Sequence, residues 1–435
     1  MPENFSTEQA NAMAGVLSVS IVMDGQNNVM INSGDVIDLY FIEDIFSHVL
    51  IGKVRFFDKY NLQEKGPLTG TEYINVIYGG RTKREVVFQF YDIKYIQTAD
   101  TNPTAGPIVE ATIVDSSYTT MLERKYSRSF AAGMTYTSIV NHMLQNIVKW
   151  DVDRIHMEEC SNENPEDFAI PYWTVAQTAK FLLKRAISRE YGTSGYLIYH
   201  STQDGISVNV KTINHLFGKT NAYDSIHYHF EKPNDSQEGQ YQANKVLEWS
   251  LSGFSESGTE AMKGGRWRGC NTDKGTLDVI TYNFADGINE SILLGKKALF
   301  PDISDAALAM KLTAERNTLE LKAVAYDEWC KLYAMQNKVS IVVEGNEKRY
   351  CGHLINLEWP SFDDRYEIYQ KQQAGIWLVR SITHSFKPNR SMPYLQRLNC
   401  LKNAYTYSKS TELLEAAYKK VNITGGVSTK FLTVK

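Results

Sequence analysis

The chain has 435 residues, with 46 Lys or Arg against 50 Asp or Glu, a formal net charge of −4 and 43% hydrophobic residues. That length predicts two to four domains rather than one core. The weak acidity argues against a dedicated nucleic-acid binder and leaves room only for a local basic patch; 26 Tyr and 18 Phe fit a β-rich protein.

The first residues, Met1-Pro-Glu-Asn-Phe-Ser-Thr-Glu8, offer neither the basic nor the apolar region of a signal peptide. No run of 18 apolar residues occurs, so no membrane span is expected and assembly is expected in a cytoplasm. Cys160, Cys270, Cys330, Cys351 and Cys400 are widely spaced without a CxxC pair, as free thiols of a reducing compartment would be.

Residues 1–13 are polar and read as a flexible arm. Leu17, Val19, Ile21 and Met23 then alternate with their neighbours up to a turn at Asp24-Gly25. Further strands are predicted at Asp35–Phe41, Ile51–Asp58, Tyr73–Tyr78, Glu85–Ile96 and Ile108–Asp115, with a short helical candidate at Ile42–Leu50. Strands at this spacing, without a long helix between them, suggest a small barrel or sandwich over residues 14–125. From there the period changes. Ile139, Val140, Met143, Leu144, Ile147 and Val148 mark an amphipathic helix capped by Thr135 or Thr137. Thr174-Val-Ala-Gln177 is a capping box opening a second helix, with Val175, Ala179, Leu182, Leu183 and Ala186 inward. Gly195–His200 and Ile206–Val210 read as a hairpin, so residues 126–217 are expected to form an α/β middle domain.

Residues 218–240 are polar and read as a linker or surface loop. Strands are expected at Val246–Phe254 and Gly275–Phe284, flanking a Gly-rich loop with Gly258, Gly264, Gly265 and Gly269. Leu308, Leu312, Leu319, Ala323, Tyr326, Cys330 and Tyr333 predict a long helix over residues 304–333, capped by Ser304. After it come antiparallel strands. Val339, Ile341 and Val343 share a face before a turn at Glu344-Gly345-Asn346. In Gly375–Phe386 the inward face is Ile376, Leu378, Ile382, His384 and Phe386; either the first half is buried on both sides or a bulge near Arg380 shifts the period by one. Residues 241–405 thus form a further β unit, and residues 406–435 a tail with a short helix at Thr411–Lys420.

The order of these pieces carries a resemblance. A strand with a Gly turn is followed by Gly352-His-Leu-Ile-Asn-Leu-Glu-Trp-Pro360, a polar loop, Gly375-Ile-Trp-Leu-Val-Arg-Ser-Ile-Thr-His-Ser-Phe386 and Tyr394-Leu-Gln-Arg-Leu398. This resembles the second tube-like barrel of phage baseplate hub proteins and of the hub part of type VI secretion spike proteins. The strand, helix and hairpin order from about Gly15 to Tyr405 follows the same family. The resemblance implies a β-rich α+β fold: two tube-like antiparallel β-barrels, 14–125 and 241–405, around an α/β middle domain. It also implies a structural role in the virion tail without cofactor. The subunit would form a homotrimer whose six barrels meet a hexameric tail tube protein. The opposite face would meet a central spike or needle protein. Other baseplate proteins would surround the ring, and DNA would pass through it without specific binding. The alternatives are the hub of a protein-delivering contractile injection system and a tail-associated peptidoglycan hydrolase.

Chemistry-bearing motifs are few. Gly295-Lys296 approaches a phosphate loop, but Glu290 stands at its first glycine and Lys297 at its metal-holding hydroxyl. His227 and His229 share a strand face and could ligate a metal or line a polar surface; Cys351 and His353 have the same geometry. Glu158-Glu159 could be half of a glycosidase carboxylate pair or a solvated charged pair. Arg266, Trp267 and Arg268 in the Gly-rich loop suit a subunit interface, a hairpin loop or, last, a nucleic-acid contact. His384 fits a packed, hydrogen-bonded role better than a catalytic one.

Overall fold

The computed structural model describes residues 17–23, 28–79, 83–96, 106–164, 166–203, 205–218, 221, 223–228, 246–252, 265–271, 274–282, 297–298, 309–315, 317–334, 337–357 and 374–405. Side chains that alternate between a buried and a less buried face run along most of its first seven strands. These are β1 (Ser18–Val22), β2 (Val29–Ile31), β3 (Val36–Asp44), β4 (Ile51–Phe57), β5 (Tyr73–Tyr78), β6 (Arg84–Ile96) and β7 (Ile108–Asp115). Their order across the sheet is β3-β4-β7-β6-β5-β1-β2, with every pair antiparallel. Leu39 and Phe41, Val54 and Phe56, Ile74 and Val76, Phe88 and Phe90, and Ala111 and Ile113 point into one shared core.

The middle of the chain packs two short helices against a small sheet. It comprises β8 (Lys125–Tyr126), β9 (Ser129–Phe130), α1 (Tyr136–Met143), β10 (Ile155–Met157), β11 (Phe168–Ala169), β12 (Trp173–Thr174), α2 (Val175–Leu183), β13 (Tyr196–Ser201) and β14 (Ser207–Thr212). Thr135, not Thr137, caps α1 by accepting from the Ser138 amide. At α2 the reciprocal capping box forms: Gln177 N donates to Thr174 Oγ1 at 3.2 Å and Thr174 N to Gln177 Oε1 at 3.0 Å. Val175, Ala179, Leu182, Leu183 and Ala186 are buried as the periodicity requires.

Apart from short helical turns such as Leu62–Lys65 and Ile213–Phe217, the rest of the described chain forms β15 (Tyr223–Tyr228), β16 (Val246–Ser252), β17 (Gly265–Asn271), β18 (Thr276–Tyr282), β19 (Lys297–Ala298), β20 (Ala309–Glu315), α3 (Thr318–Ala334), β21 (Asn337–Glu344), β22 (Leu354–Leu357), β23 (Gly375–Phe386), β24 (Tyr394–Lys402) and β25 (Ala404–Tyr405). Strand β23 is shared. Its first residues pair with β22 and its last six with β3, while β24 lies along its other side. The two groups of strands therefore merge into one 13-stranded sheet. The change of partner falls at a bulge between Val379 and Ser381. Before it Trp377, Leu378 and Val379 are all buried; after it Ile382, His384 and Phe386 face inward. The bulge alternative holds, because one extra residue at Arg380 shifts the pleat by one; burial on both sides holds only for Trp377–Val379, since Ile376, expected inward, is exposed.

Three expectations are corrected. The helix expected over 304–333 begins at Thr318. Ala309–Glu315 is strand β20, hydrogen-bonded in parallel to β17; Met310, Leu312 and Ala314 alternate with Lys311, Thr313 and Glu315, which is strand period. The helix cap is Asn317, whose side chain accepts from Glu320 N at 2.9 Å; Pro301 and Ser304 lie outside the described residues. The helical candidate Ile42–Leu50 is instead the end of β3 and a turn, in which Asp44 accepts from the Phe46 and Ser47 amides. The Gly-rich loop carries strand β17, the centre of a β18-β17-β20 sheet. In addition, β15 lies inside the segment expected to be a linker, paired in parallel with β22.

Helix α3 docks on the middle of the chain. Tyr326 and Asn214 exchange hydrogen bonds of 2.7 and 3.0 Å, Lys184 meets Glu328 at 2.5 Å, and Tyr136 donates to Glu320. Replacing Thr174 by Ala removes the α2 cap but none of these contacts. The expected loss is about 1 kcal/mol, read as a lower midpoint in chemical denaturation with the far-ultraviolet spectrum unchanged.

Candidate functional site

The most concentrated chemistry sits where β3 and β23 join. Glu43 lies on the same face of β3 as Leu39 and Phe41 and is fully buried. Its Oε1 is 2.9 Å from His384 Nε2 and accepts from Thr202 Oγ1 at 2.5 Å. Its Oε2 accepts from Thr202 N at 3.2 Å and Cys351 N at 3.1 Å. His384 stacks on the Phe41 ring at 4.3 Å and meets Tyr394 OH through Nδ1 at 2.9 Å. Beyond Tyr394, Gln396 donates to its hydroxyl at 2.8 Å and accepts from the buried Arg349 at 2.8 Å. Gly352, at φ +87°, makes the tight turn beside Cys351; a Cβ there would strike the Tyr199 hydroxyl.

Burial alone would raise the Glu43 pKa. The His384 hydrogen bond and charge, with the Thr202 and Cys351 donors, outweigh it and hold the carboxyl below the ordinary glutamate value. A second pair lies at the end of β7. Asp115 accepts from Leu50 N at 2.7 Å and Ser117 Oγ at 2.6 Å, and its Oδ2 is 2.8 Å from His200 Nδ1. There too burial pushes up, but the His200 charge and these donors hold the aspartate below its usual value. Burial first, then repulsion from His200, pushes the nearby His48 down to about 4.

Neither pair opens to a substrate. His384, Glu43, His200 and Asp115 expose at most 1% of their side chains. The Cys351 thiol is pushed well up by burial and then by Glu43, which disfavours the reactive thiolate. The arrangement is a joint: the residue after β13, the turn before β22 and β23 meet on the carboxylate that β3 supplies, and β24 joins through the Tyr394–His384 contact.

No protein-family model matches the sequence, and no curated protein does. Solved structures do. A tail protein from Neisseria meningitidis superposes with a TM-score of 0.56 at 10% identity, over 89% of this chain and 97% of the other. A 43 kDa prophage tail protein from Shewanella oneidensis superposes at 0.57 and 10% identity, over 89% and 99%. The chain has a tail-protein fold. The resemblance read from its strand order is thereby matched at the level of structure.

Within that tail-protein fold the residues singled out by sequence fare unevenly. His384 is packed and hydrogen-bonded, as expected. Cys351 and His353 are both buried; Cys351 serves the joint through its amide, and His353 bonds the Tyr350 carbonyl. His227 sits on β15, while His229 lies outside the described residues, as do Glu290, Gly295 and Lys296. Among the described residues no group of three His, Cys, Asp or Glu is placed to hold a metal ion.

Glu158 and Glu159 line a surface cleft of about 710 Å³ with His156, Arg189, Glu190, Lys211 and His215. Glu158 is spent on structure. It accepts from Ser188 Oγ at 2.5 Å, Thr212 N at 2.6 Å and Thr212 Oγ1 at 2.9 Å, tying β10 to the hairpin. Glu159 pairs with Arg189 at 2.6 Å on the surface. Arg266, Trp267 and Arg268 stand in the middle strand of their sheet, not in a loop, because β18 and β20 take up their backbone groups.

Sequence reasoning passed over Glu43, Asp115, Thr202 and His200. The signal was there for the two acids. Glu43 continues the inward series Leu39 and Phe41, and Asp115 continues Val109, Ala111 and Ile113.

Because Glu43 and Asp115 are depressed in the fold, their contribution is present above the unfolded carboxylate pKa. It is lost as the pH falls through the lower folded values. Thermal midpoints are therefore expected to fall gradually below about pH 6.5, where unfolded His48 takes a proton that the buried ring accepts only near pH 4, and more steeply below about pH 4 as the two carboxylates protonate. Glu43→Ala, which strands His384 and the Cys351 amide, should cost about 3–5 kcal/mol near neutral pH, measured by denaturant unfolding, and should make the acid drop shallower.

Proposed function

We propose that this chain is the central hub of a phage baseplate or tail tip. Three copies would form a ring, each presenting two tube-like β units to the hexameric tail tube and, on the opposite side, holding a trimeric spike or needle. Other baseplate proteins would surround it, and the ring would enclose the DNA channel within the virion. The role would be structural rather than enzymatic: symmetry matching, with no bound cofactor. In this reading residues 14–125 and 241–405 are the two tube units and 126–217 the middle domain, while the 218–240 segment supplies β15, which pairs with β22 of the second unit. Residues 406–435 reach a neighbouring component.

The observation that carries it is the shared strand β23. A subunit that must count as two in a six-fold ring needs its two β units held side by side at fixed spacing. A strand hydrogen-bonded to both provides that. The likeness to tail proteins over 89% of the chain supports the same class of role. The polar face of the merged sheet suits a wall past which DNA slides. Its charges are compensated: Arg55 with Asp38 and Glu110, Arg380 with Asp44, and Arg397 with Glu248. With these three arginines facing four carboxylates, the wall offers DNA few free cations with which to release its counterions. We assign the strand bearing Arg266, Trp267 and Arg268 to the subunit contact, where Trp and Arg are enriched.

Native mass spectrometry should give three times the chain mass, and electron microscopy a three-fold ring with six lobes around a hole. A chain that stays monomeric at high concentration, both alone and with tube protein, would refute the hub reading. Peptidoglycan zymography is expected to show no clearing. A cleared band abolished by Glu158→Gln would replace the structural role with a hydrolytic one.

A further inference from the structure

The middle of the chain carries a surface that the joint does not use. Residues 124–130 run antiparallel to 168–174: Tyr126 pairs with Trp173, Phe130 with Phe168, and Ile170 N donates to Arg128 O at 2.8 Å. This brings Arg124, Lys125 and Arg128, all exposed, beside the aromatic run around Pro171. None of the three takes part in an ion pair among the described residues. Of the nearby carboxylates, Glu123 accepts from the Tyr91 hydroxyl and Asp167 from the Ala132 amide.

Tyr172 projects from this surface, 66% exposed, with the Lys125 ammonium 5.8 Å from its ring centre. Its backbone is left-handed, at φ +59°, a conformation that disfavours a bulky side chain. Beside it, half-buried Trp173 and buried Phe168 pack on Phe181 at 5.3 and 5.7 Å, and the Arg185 guanidinium covers the Phe181 ring at 3.8 Å. Exposed Tyr, supported Trp and several Arg are the composition of residues that dominate protein–protein binding.

We propose that the Tyr172 surface docks an acidic protein partner, whose carboxylates pair with Arg124, Lys125 and Arg128 around the Tyr172 ring. Charge complementarity selects this occupant: three exposed cations with no ion pair among the described residues cluster on a chain whose net charge is −4. Nucleic acid fits less well. Three cations neutralise few phosphates, and only one ring stands out far enough to stack on a base. The left-handed Tyr172 is tolerated because the ring is needed at the surface; the core gains nothing from it. The site stands whether or not the chain is a trimeric hub.

The test uses the full chain with two fluorescent probes at low salt: a peptide of alternating Asp and Glu, and an oligothymidylate. Three variants accompany it. Arg124→Glu with Arg128→Glu reverses the patch. Lys387→Glu with Arg390→Glu makes the same charge change in the turn after β23. Tyr172→Gly removes the ring and relieves the backbone. The peptide is expected to bind wild type and to lose at least about tenfold in affinity with the first pair. It should keep its affinity with the second. Tyr172→Gly should weaken binding without lowering the melting temperature, an outcome that a merely structural tyrosine would not give. The proposal is overturned if the peptide fails to bind wild type or if both reversals weaken it equally. It also fails if Tyr172→Gly melts lower while binding normally, or if oligothymidylate binds the same residues more tightly than the peptide.

Discussion

A carboxylate sealed from water fixes the arrangement of everything around it. Taking an ion into the interior is costly unless close partners satisfy it. Glu43 is satisfied only when four groups from three distant segments converge: Thr202 twice, Cys351 and His384. Apolar packing between β3 and β23 would tolerate small slips. A buried charge does not, since a slip of one residue would turn Glu43 outward and leave His384 facing hydrocarbon. The pair therefore contributes uniqueness of register more than net stability, and it lies at the seam where register matters most.

That seam settles how the two halves relate. Two β units joined only by a linker would drift; here a 12-residue strand belongs to both. The bulge at Arg380 lets one strand serve both groups of strands within the single sheet, because the added residue re-aims the pleat where the partner changes from β22 to β3. Arg380 remains at the surface and ties the bulge to β3 through Asp44 at 3.3 Å. The middle of the chain adds a third anchor, since Thr202 follows β13 directly and Asp115–His200 links the same hairpin to β7.

Local patterns in the sequence were readable where burial is one-sided. The spans of β5 and β7 coincide with their alternation, and the capping box at Thr174 is sufficient to start α2. The Arg380 anomaly was visible as a change of face. Where the sequence misled, two periods coexisted. Leu308, Leu312 and Leu319 suit a helix, while Met310, Leu312 and Ala314 suit a strand; β17, some forty residues earlier, decides between them through hydrogen bonds. The joint was half legible. An inward glutamate can be read from one strand, but its imidazole partner cannot, because no local rule connects positions 341 residues apart.

That separation also has a consequence in time. A chain made from its N-terminus at about 5–20 residues per second places Glu43 outside the ribosome roughly 20–70 s before His384 follows. During that interval β3 has no neighbour on the side that β23 will occupy, and its inward acid has no imidazole. The nascent first sheet thus waits with one open edge and one solvated charge. The charge discourages that edge from pairing with another chain, as inward-pointing charges on edge strands do. The residue that locks the finished protein is then also the one that protects the unfinished one.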